Sequence, residues 1–243
     1  MAAPDFPTWA VPAGLAALFV LLALVEIWRP ARGAQRGRWP LNLGLGLANA
    51  VGVRLLAVAA PVAAAGWAQG SDVGLFNVVG LPLWAEIILV IVAMDFAIYW
   101  QHRAMHVLPW GWALHRLHHA DADFDVTTGV RFHPGEALLS MLYKAALVVL
   151  LGASPVAALA FEAYLAVGSM IEHANIRLPA RADAALRRIW VTPDVHRVHH
   201  SAHGEDHNHN FGFAIGLWDR WFGTYRATPS GPKIGLPQAA GAD

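Results

Sequence analysis

Histidines recur in this chain in regularly spaced clusters, and imidazole is the commonest side-chain ligand of transition metals. The pattern His-x-x-His-His occurs at residues 115–119 and again at residues 196–200. On a helix, the first histidine of each pattern shares a face with the other two, which point about 100° apart from each other. Each adjacent pair can therefore serve two neighbouring metal ions. His102 and His106, four residues apart, form a third cluster.

The three clusters together supply eight imidazoles, about four for each of two metal ions. Such a set predicts a binuclear centre, and imidazole suits iron as well as zinc and copper. A zinc hydrolase would need fewer histidines and a nearby glutamate as general base. A centre with eight or more neutral ligands is strongly positive, and it can bind and reduce O2 if electrons are supplied. The predicted ligands are His102, His106, His115, His118, His119, His196, His199 and His200.

Five further histidines lie outside these clusters. His173 stands at the end of the last apolar run that faces the clusters, and it is predicted to join the ligands. His133 precedes Pro134 at a turn, where ligation and a structural role are both open. The remaining three occupy a loop rich in Gly, Asn and Asp, where they can be exposed to solvent or line the entrance to the site: His203, His207 and His209.

Asp95 shares a helical stripe with His102 and His106, because these residues are separated by seven and four positions. One interpretation is that Asp95 caps the helix end or pairs with Arg103. The other is that its carboxylate accepts a hydrogen bond from a ligand imidazole and so orients the ring. The sequence leaves both interpretations open.

Hydrophobic residues make up 56% of the chain and charged residues only 14%, with a mean hydropathy of +0.42. Soluble domains carry about 25% charged residues, so this composition predicts an integral membrane protein. The formal net charge is zero, which argues against a basic surface that binds nucleic acid. Cysteine is absent, so disulfides and thiolate metal sites are excluded. We therefore expect an all-α integral membrane protein.

Long apolar runs predict four to five membrane helices within a single membrane domain over residues 1–243. The runs occupy residues 9–28, 41–67, 83–101, 137–152 and 155–172. The last two are short for full spans, so they form either two tilted helices or a hairpin that dips into the bilayer. Residues 102–136 and 173–226 are expected to form a helical, metal-binding cap. Residues 227–243 are expected to be a disordered tail.

The distribution of basic residues predicts the orientation in the membrane. Of seventeen Lys and Arg residues, two fall within the apolar runs. If the N-terminus lies outside, the other fifteen all lie inside, and the outside segments hold none. Because positive residues favour the cytoplasmic side, we expect the C-terminus and the histidine cap in the cytoplasm. The first run is expected to be retained, since a cleaved signal peptide would begin with basic residues.

The sequence around the clusters is as specific as their spacing. Between residues 95 and 226 the chain reads, in this order, DFAIYWQHRAMH, WALHRLHHADADFDVTTGVRFHPGE, IEHANI, VTPDVHRVHHS and NFGFAIGLWDRWFGTYR. In these motifs and their order it resembles the fatty acid hydroxylase / sterol desaturase superfamily of membrane-bound, histidine-rich di-iron oxygenases. The resemblance extends over more than half of the chain.

This resemblance implies a helical membrane base and a cytoplasmic cap that holds two iron ions. Zinc is expected to replace iron on overexpression, because Zn²⁺ binds imidazole sites tightly. The resemblance also implies O2-dependent hydroxylation, or desaturation, of a lipid C–H bond. It carries the ligand role to the eight clustered histidines, with His173 and His133 completing the set. No cytochrome b5-like domain is recognisable in the chain, so the expected partners are a lipid from the bilayer and a separate electron-donor protein.

Two other classes of protein use membrane-embedded histidines. A metal transporter or sensor without oxygenase activity would place them along a transmembrane path, whereas here all thirteen lie between His102 and His209. A di-haem electron carrier would pair histidines within facing spans, and the first two apolar runs contain none. The oxygenase interpretation is therefore preferred, with the metal transporter or sensor as the alternative.

Overall fold

The computed structural model describes residues 9–33, 36–56 and 60–236. These residues form helices joined by short loops, with two isolated β-bridges among them. Short 3-10 helices occupy Arg36–Arg38, Val126–Val130 and Asp206–Asn208. The α-helices are α1 (Ala10–Trp28), α2 (Trp39–Leu55), α3 (Pro61–Gly70), α4 (Leu75–Val79), α5 (Leu83–Val107), α6 (Pro109–His119), α7 (Pro134–Leu151), α8 (Pro155–His173), α9 (Ala180–Leu186), α10 (Pro193–His199) and α11 (Leu217–Trp221).

Four helices have the length and apolar composition that a bilayer requires. A hydrocarbon core about 30 Å thick needs about 20 apolar residues in a helix. Within the described residues, α1, α5, α7 and α8 meet this requirement with 19, 25, 18 and 19 residues. The predicted all-α integral membrane fold is therefore confirmed. Helices α7 and α8 each fall within the range of lengths that can cross a bilayer.

Helix α5 is longer than the hydrocarbon core of a bilayer is thick. It begins after Pro82 and continues to Val107, six positions beyond the predicted end at residue 101. At 1.5 Å per residue it measures about 37 Å, against a hydrocarbon core of about 30 Å. Its last turns therefore extend beyond the core, and they carry His102 and His106 into the cap.

The apolar run at residues 41–67 is not one helix. Helix α2 ends at Leu55, and Pro61 occupies the first turn of α3. Proline is tolerated at a helix start but disrupts a helix interior, because it lacks the N–H that the helix needs. The prediction of a single membrane helix over this run was wrong, since it followed the unbroken apolar composition and overlooked Pro61.

The packing of α5 against α8 places the histidines of both helices at one end of the bundle. Side chains of α5, α8 and α3 form one buried cluster that includes Val90, Met94, Ile98, Ala157, Phe161 and Ala65. Helix α7 turns into α8 through Gly152, whose positive φ of 65° suits glycine. Ser154 then accepts a hydrogen bond from the Ala157 N–H at 3.3 Å and caps α8. The resulting antiparallel pair brings Glu136, near the start of α7, level with His173.

The C-terminal segment folds back onto the cap. The Ser230 N–H donates to Asp206 Oδ2 at 2.7 Å, and the Gly235 N–H donates to the His200 carbonyl at 3.0 Å. The prediction of a disordered tail was therefore wrong for residues 227–236, whose backbone groups find polar partners in the cap. Residues 237–243 lie outside the described residues.

Candidate metal centre

Nine buried histidines converge in two groups beside the ends of α5 and α8. In each group the potential ligand nitrogens lie within 4.8 Å of one another, and every side chain is at most 9% exposed. The five-histidine group consists of His102, His106, His115, His119 and His199. The four-histidine group consists of His118, His173, His196 and His200.

Each His-x-x-His-His motif supplies both groups. His118 enters the four-histidine group and His119 the five-histidine group, and His199 and His200 are divided in the same way. Adjacent helical residues point about 100° apart, which is why one motif reaches two sites. The rings of His119 and His200 stack with their centroids 4.4 Å apart, so the two groups are in direct contact. This is the arrangement that a binuclear centre needs.

Hydrogen bonds fix the tautomer of five of these imidazoles. Carbonyl and carboxylate oxygens accept, so the Nδ1 atom carries the proton and the Nε2 atom keeps its lone pair. Glu136, in the first turn of α7, accepts from His115 Nδ1 at 2.6 Å. Four backbone carbonyls accept from the others: Phe211 from His102 (2.9 Å), Arg131 from His118 (3.3 Å), Ser169 from His173 (2.8 Å) and His209 from His199 (2.7 Å).

The Nε2 atoms that keep their lone pairs lie close to one another. His102 Nε2 lies 3.1 Å from His115 Nε2, and His118 Nε2 lies 3.1 Å from His173 Nε2. Two lone pairs at this separation repel each other unless a cation lies between them. Two imidazole nitrogens bound at about 2.1 Å to one metal ion, with a right angle between their bonds, lie about 3 Å apart. The residues of both groups therefore fit metal ions.

Nitrogens without hydrogen-bond partners lead to the same conclusion. A buried polar atom left unsatisfied costs about 1–3 kcal/mol, so such atoms are rare in folded proteins. Seven ring nitrogens in the two groups are buried and lack a partner among the described residues: Nδ1 and Nε2 of His106, Nε2 of His119, Nδ1 of His196, Nε2 of His199, and Nδ1 and Nε2 of His200. Metal ions would satisfy those that face the centre of each group.

Burial also favours the neutral form of five of the grouped imidazoles. Desolvation lowers the pKa of five of them well below the usual 6.5, and neighbouring imidazoles lower it further, in His118, His119, His196, His199 and His200. The neutral imidazole is the form that binds metal. These histidines are therefore in the protonation state that can bind metal cations.

His133, a predicted ligand, lies in neither group. Its Nδ1 atom accepts a hydrogen bond from the Gly135 N–H at 3.0 Å and caps the start of α7. The imidazole thus makes a structural contact at the helix terminus. We therefore omit His133 from the ligand set proposed below.

Asp95 makes contacts that differ from both sequence-based interpretations. Its fully buried carboxylate accepts hydrogen bonds from Trp218 Nε1 at 2.7 Å and from the Tyr164 hydroxyl at 2.8 Å. Neither bond reaches an imidazole, and the Arg103 guanidinium lies over the Trp100 ring at 5.3 Å. Asp95 therefore ties α5 to α8 and to the cap, and its predicted role in orienting a ligand is corrected.

The three loop histidines have distinct surroundings. His207 is half-buried, stacks on Trp112 with centroids 5.2 Å apart, and lies 6.1 Å from the His106 ring. His209 donates from Nδ1 to the Glu205 carbonyl at 2.8 Å. His203 is exposed. Of the three, His207 lies at the edge of the five-histidine group.

The model of the fatty acid hydroxylase family matches residues 87–224, which hold all nine grouped histidines and more than half of the chain. The chain belongs to the fatty acid hydroxylase family. Among known proteins, this family member is 31% identical over 161 residues to an ornithine lipid hydroxylase of Rhizobium tropici, a match that covers 64% of this chain and 46% of the relative.

A second relative is the alkylglycerol monooxygenase of Homo sapiens, which is 29% identical to this fatty acid hydroxylase family member over 146 residues. That match covers 60% of this chain and 32% of the relative. The matched region therefore spans less than half of either relative. No solved structure matches the chain.

Two glutamates that sequence reasoning did not single out lie against the imidazoles of this hydroxylase-family chain. Glu136 bonds to His115, as described above. Glu172 is buried, with carboxylate oxygens 3.6 Å from His173 Nδ1 and 3.7 Å from His196 Nδ1, and neither oxygen has a hydrogen-bond partner among the described residues. Each acid borders an apolar run beside a motif histidine. Acidic residues in or next to membrane helices are usually functional. The positions of these two glutamates in the sequence could therefore have identified them as candidate site residues.

A cavity of about 770 Å³ joins the two groups to the membrane helices. Its wall includes His102 and His115 of the five-histidine group, and it includes three of the four-histidine group, namely His118, His173 and His196. Most of the remaining wall consists of apolar side chains from α1, α2, α5, α7 and α8. A volume of 300–1,000 Å³ with apolar walls and a few polar groups is typical of small-molecule sites. The cavity therefore has the size and the apolar walls to hold an apolar molecule beside both histidine groups.

Proposed function

We propose that this protein is a membrane-bound di-iron monooxygenase that hydroxylates, or desaturates, a lipid C–H bond with O2. The observation that carries the proposal is the arrangement of two adjacent groups of buried imidazoles on one apolar cavity among the membrane helices. The relatives support the reaction class, since their names describe a lipid hydroxylase and an alkylglycerol monooxygenase.

The two groups would hold one iron ion each, and zinc can replace iron because Zn²⁺ binds imidazole sites tightly. Bound there, the ions would supply the binding and reduction of O2. A structural zinc site is almost always four-coordinate, so a group of five imidazoles supports iron over zinc. The proposed ligands are His102, His106, His115, His118, His119, His173, His196, His199 and His200.

The side chains and backbone around the ions would hold the ligands and the substrate in place. Glu136 and the backbone carbonyls hold the Nε2 atoms towards the ions, as carboxylate and carbonyl partners of metal-bound histidines do. The apolar walls of the cavity exclude water and confine the lipid chain. One C–H bond would then lie beside His118 and His173. Holding the bond at this position would raise the rate of the reaction through proximity and orientation.

Hydroxylation also needs electrons, which the neutral imidazoles do not supply. One oxygen atom enters the C–H bond and the other is reduced to water, with consumption of two electrons and two protons. The proposed partner is a separate electron-donor protein that binds the cap at the cytoplasmic face of the membrane. This orientation, with the N-terminus outside, rests on the distribution of basic residues, and it requires α2 and α3 together to cross the membrane once between α1 and α5.

Metal content and product formation measured on the same preparation test the proposal. We expect about two metal ions per chain, one for each histidine group, and an O2-dependent change in the lipids of cells that express the gene. One ion or fewer in a fully loaded sample would contradict the binuclear centre. Two ions without any oxidised lipid would favour the metal transporter or sensor.

The proposed orientation has a test of its own. Accessibility tags at the N-terminus and near Gly70 are expected to report the outside, and a C-terminal tag the cytoplasm. The reverse pattern would place the histidine groups on the opposite face and would contradict the proposed location.

A further inference from the structure

An ion pair lies at the end of the α7 and α8 wall of the cavity, on the side away from the histidines. Helix α7 lines the cavity from Glu136 to Lys144, and α8 lines it from Glu162 to His173. Of the described residues of these two helices, none beyond Lys144 and none before Glu162 contributes to the wall. Lys144 Nζ lies 2.6 Å from Glu162 Oε2. The two charged side chains therefore stand at the last position that each helix gives to the cavity.

The pair lies deep among the membrane helices. Lys144 follows Glu136 by eight residues and Glu162 precedes His173 by eleven, which at 1.5 Å per residue is about 12 Å and about 16 Å. Ionisable residues at such depth are costly and are retained chiefly for function. Glu162 Oε1 is buried and has no hydrogen-bond partner among the described residues, so the pair is also incompletely satisfied.

The wall between the histidines and the ion pair is largely apolar. It includes Ile98 of α5, Met141 of α7, Leu165 of α8 and Phe213 of the cap. A hydrocarbon chain gains about 0.8 kcal/mol for each methylene group buried against such a wall. That gain stops at the ion pair, because an apolar group placed against the two charges would desolvate them without replacing their hydrogen bonds.

We propose that the Lys144–Glu162 pair is an end stop that selects lipids by the length of the apolar chain beyond the oxidised carbon. The inference rests on the proposed function, since it takes the cavity to be the lipid site. The substrate class is a lipid with an unbranched chain whose end lies against the ion pair, about 12–16 Å from the histidine end of the cavity. Lys144 and Glu162 determine specificity and do not take part in the reaction.

Lipid binding tests the end stop directly. The metal-loaded protein in detergent is incubated with an equimolar series of saturated straight-chain primary alcohols of increasing length, and the retained alcohols are quantified by mass spectrometry. The wild type is expected to discriminate against chains above an upper length. In the Lys144→Ala, Glu162→Ala double variant, the ratio of long to short chains retained should rise about tenfold, the effect of burying roughly two more methylene groups.

Two matched variants isolate the ion pair. The charge reversal Lys144→Glu with Glu162→Lys keeps an ion pair in place, so its length profile should match the wild type. Leu142→Ala with Leu159→Ala changes exposed side chains on the same two helices outside the cavity wall, and it should also leave the profile unchanged. If the double alanine variant does not fold, Ala166→Leu replaces it. This change adds bulk to the wall one turn closer to His173, so it should shift the profile to shorter chains.

The outcomes separate the possible roles of the pair. An unchanged profile in the double alanine variant, or in Ala166→Leu, would overturn the proposal and leave the pair as a link between α7 and α8. An equal loss of all chain lengths would also overturn it, because that result would indicate binding of a polar lipid group. The readout requires neither O2 nor turnover. A shifted profile in a protein that oxidises no lipid would therefore refute the proposed function while supporting the end stop.

Discussion

The two histidine groups draw on the same motifs but differ in ligand number and surroundings. The five-histidine group includes both histidines of α5, and two of its members line the cavity. The four-histidine group includes His173 of α8, and three of its members line the cavity. Each group has one adjacent carboxylate. Glu136 is hydrogen-bonded at the first group, whereas Glu172 has no hydrogen-bond partner among the described residues at the second.

Under the proposed function, this difference predicts a division of roles between the two histidine groups. With one imidazole fewer and more of its ligands on the cavity wall, the four-histidine group leaves more room for O2 and for a substrate carbon. The five-histidine group is closer to a full set of ligands and has a hydrogen-bonded carboxylate behind it. We therefore expect the four-histidine group to bind its ion less tightly and to lie nearer the reacting carbon.

Removal of one imidazole from each group should have the largest effects on metal content and activity. The effects should differ between the two groups. His200→Ala leaves three imidazoles in its group, whereas His106→Ala leaves four in the other. We expect His200→Ala to lower the metal content from about two ions to about one and to abolish lipid oxidation. His106→Ala should retain most of both ions and part of the activity. Equal metal loss in the two variants would contradict the proposed difference between the groups.

Acid should release metal and destabilise the protein through both groups. Burial lowers the pKa of His118, His119, His196, His199 and His200 in the folded state, whereas unfolded imidazoles titrate near 6.5. As the pH falls below about 6.5, the unfolded state binds more protons than the folded state, so the free energy of unfolding decreases. The measurement is thermal unfolding of metal-free and metal-loaded protein from about pH 8 to about pH 5. Stability that increases towards acid would contradict this expectation.

The division of the histidine motifs could be predicted from sequence, whereas the environment of the groups could not. Adjacent histidines diverge by about 100° on any helix, so His118 and His119 were predicted to serve different ions from local geometry alone. The role of Asp95 depends on Trp218, which is 123 residues away in the chain and reaches the carboxylate only after the cap packs on α5. The spacing correctly placed Asp95 and His102 on one face of a helix, but it contained no information about Trp218.

The membrane helices show the same limit in another form. Apolar composition predicted α1, α5, α7 and α8, because burial in lipid requires long apolar runs. It failed at residues 41–67, where the backbone chemistry of Pro61 overrides composition. It also failed for residues 227–236, which look polar and unstructured but are held by hydrogen bonds to Asp206 and His200. Local chemistry was readable from the sequence, and long-range partners were not.

The two carboxylates should respond differently to the loss of charge. Glu136→Gln replaces the charged acceptor of the His115 Nδ1–H by a neutral amide oxygen, and mutation of such a carboxylate partner typically lowers metal affinity or activity about 10–100-fold. Glu172→Gln changes a carboxylate that makes no hydrogen bond among the described residues, so we expect a smaller loss of metal. Metal affinity and product formation are measured on both variants. A larger loss of metal in Glu172→Gln would mean that this carboxylate binds the ion at the four-histidine group.

The smallest effects are expected at the edge of the five-histidine group. The His207 ring stacks on Trp112 beside His106, whereas the His209 side chain has the Glu205 carbonyl as its one hydrogen-bond partner among the described residues. It is the His209 backbone carbonyl that accepts from His199 Nδ1, and this carbonyl persists in His209→Ala. We therefore expect wild-type metal content in both alanine variants. His207→Ala should release metal to a chelator severalfold faster, because the His207 ring covers Trp112 at the edge of the five-histidine group and its removal opens that edge to solvent. If His209→Ala instead lost metal as His106→Ala does, the loop side chain would be a ligand and the five-histidine group would be wrongly composed.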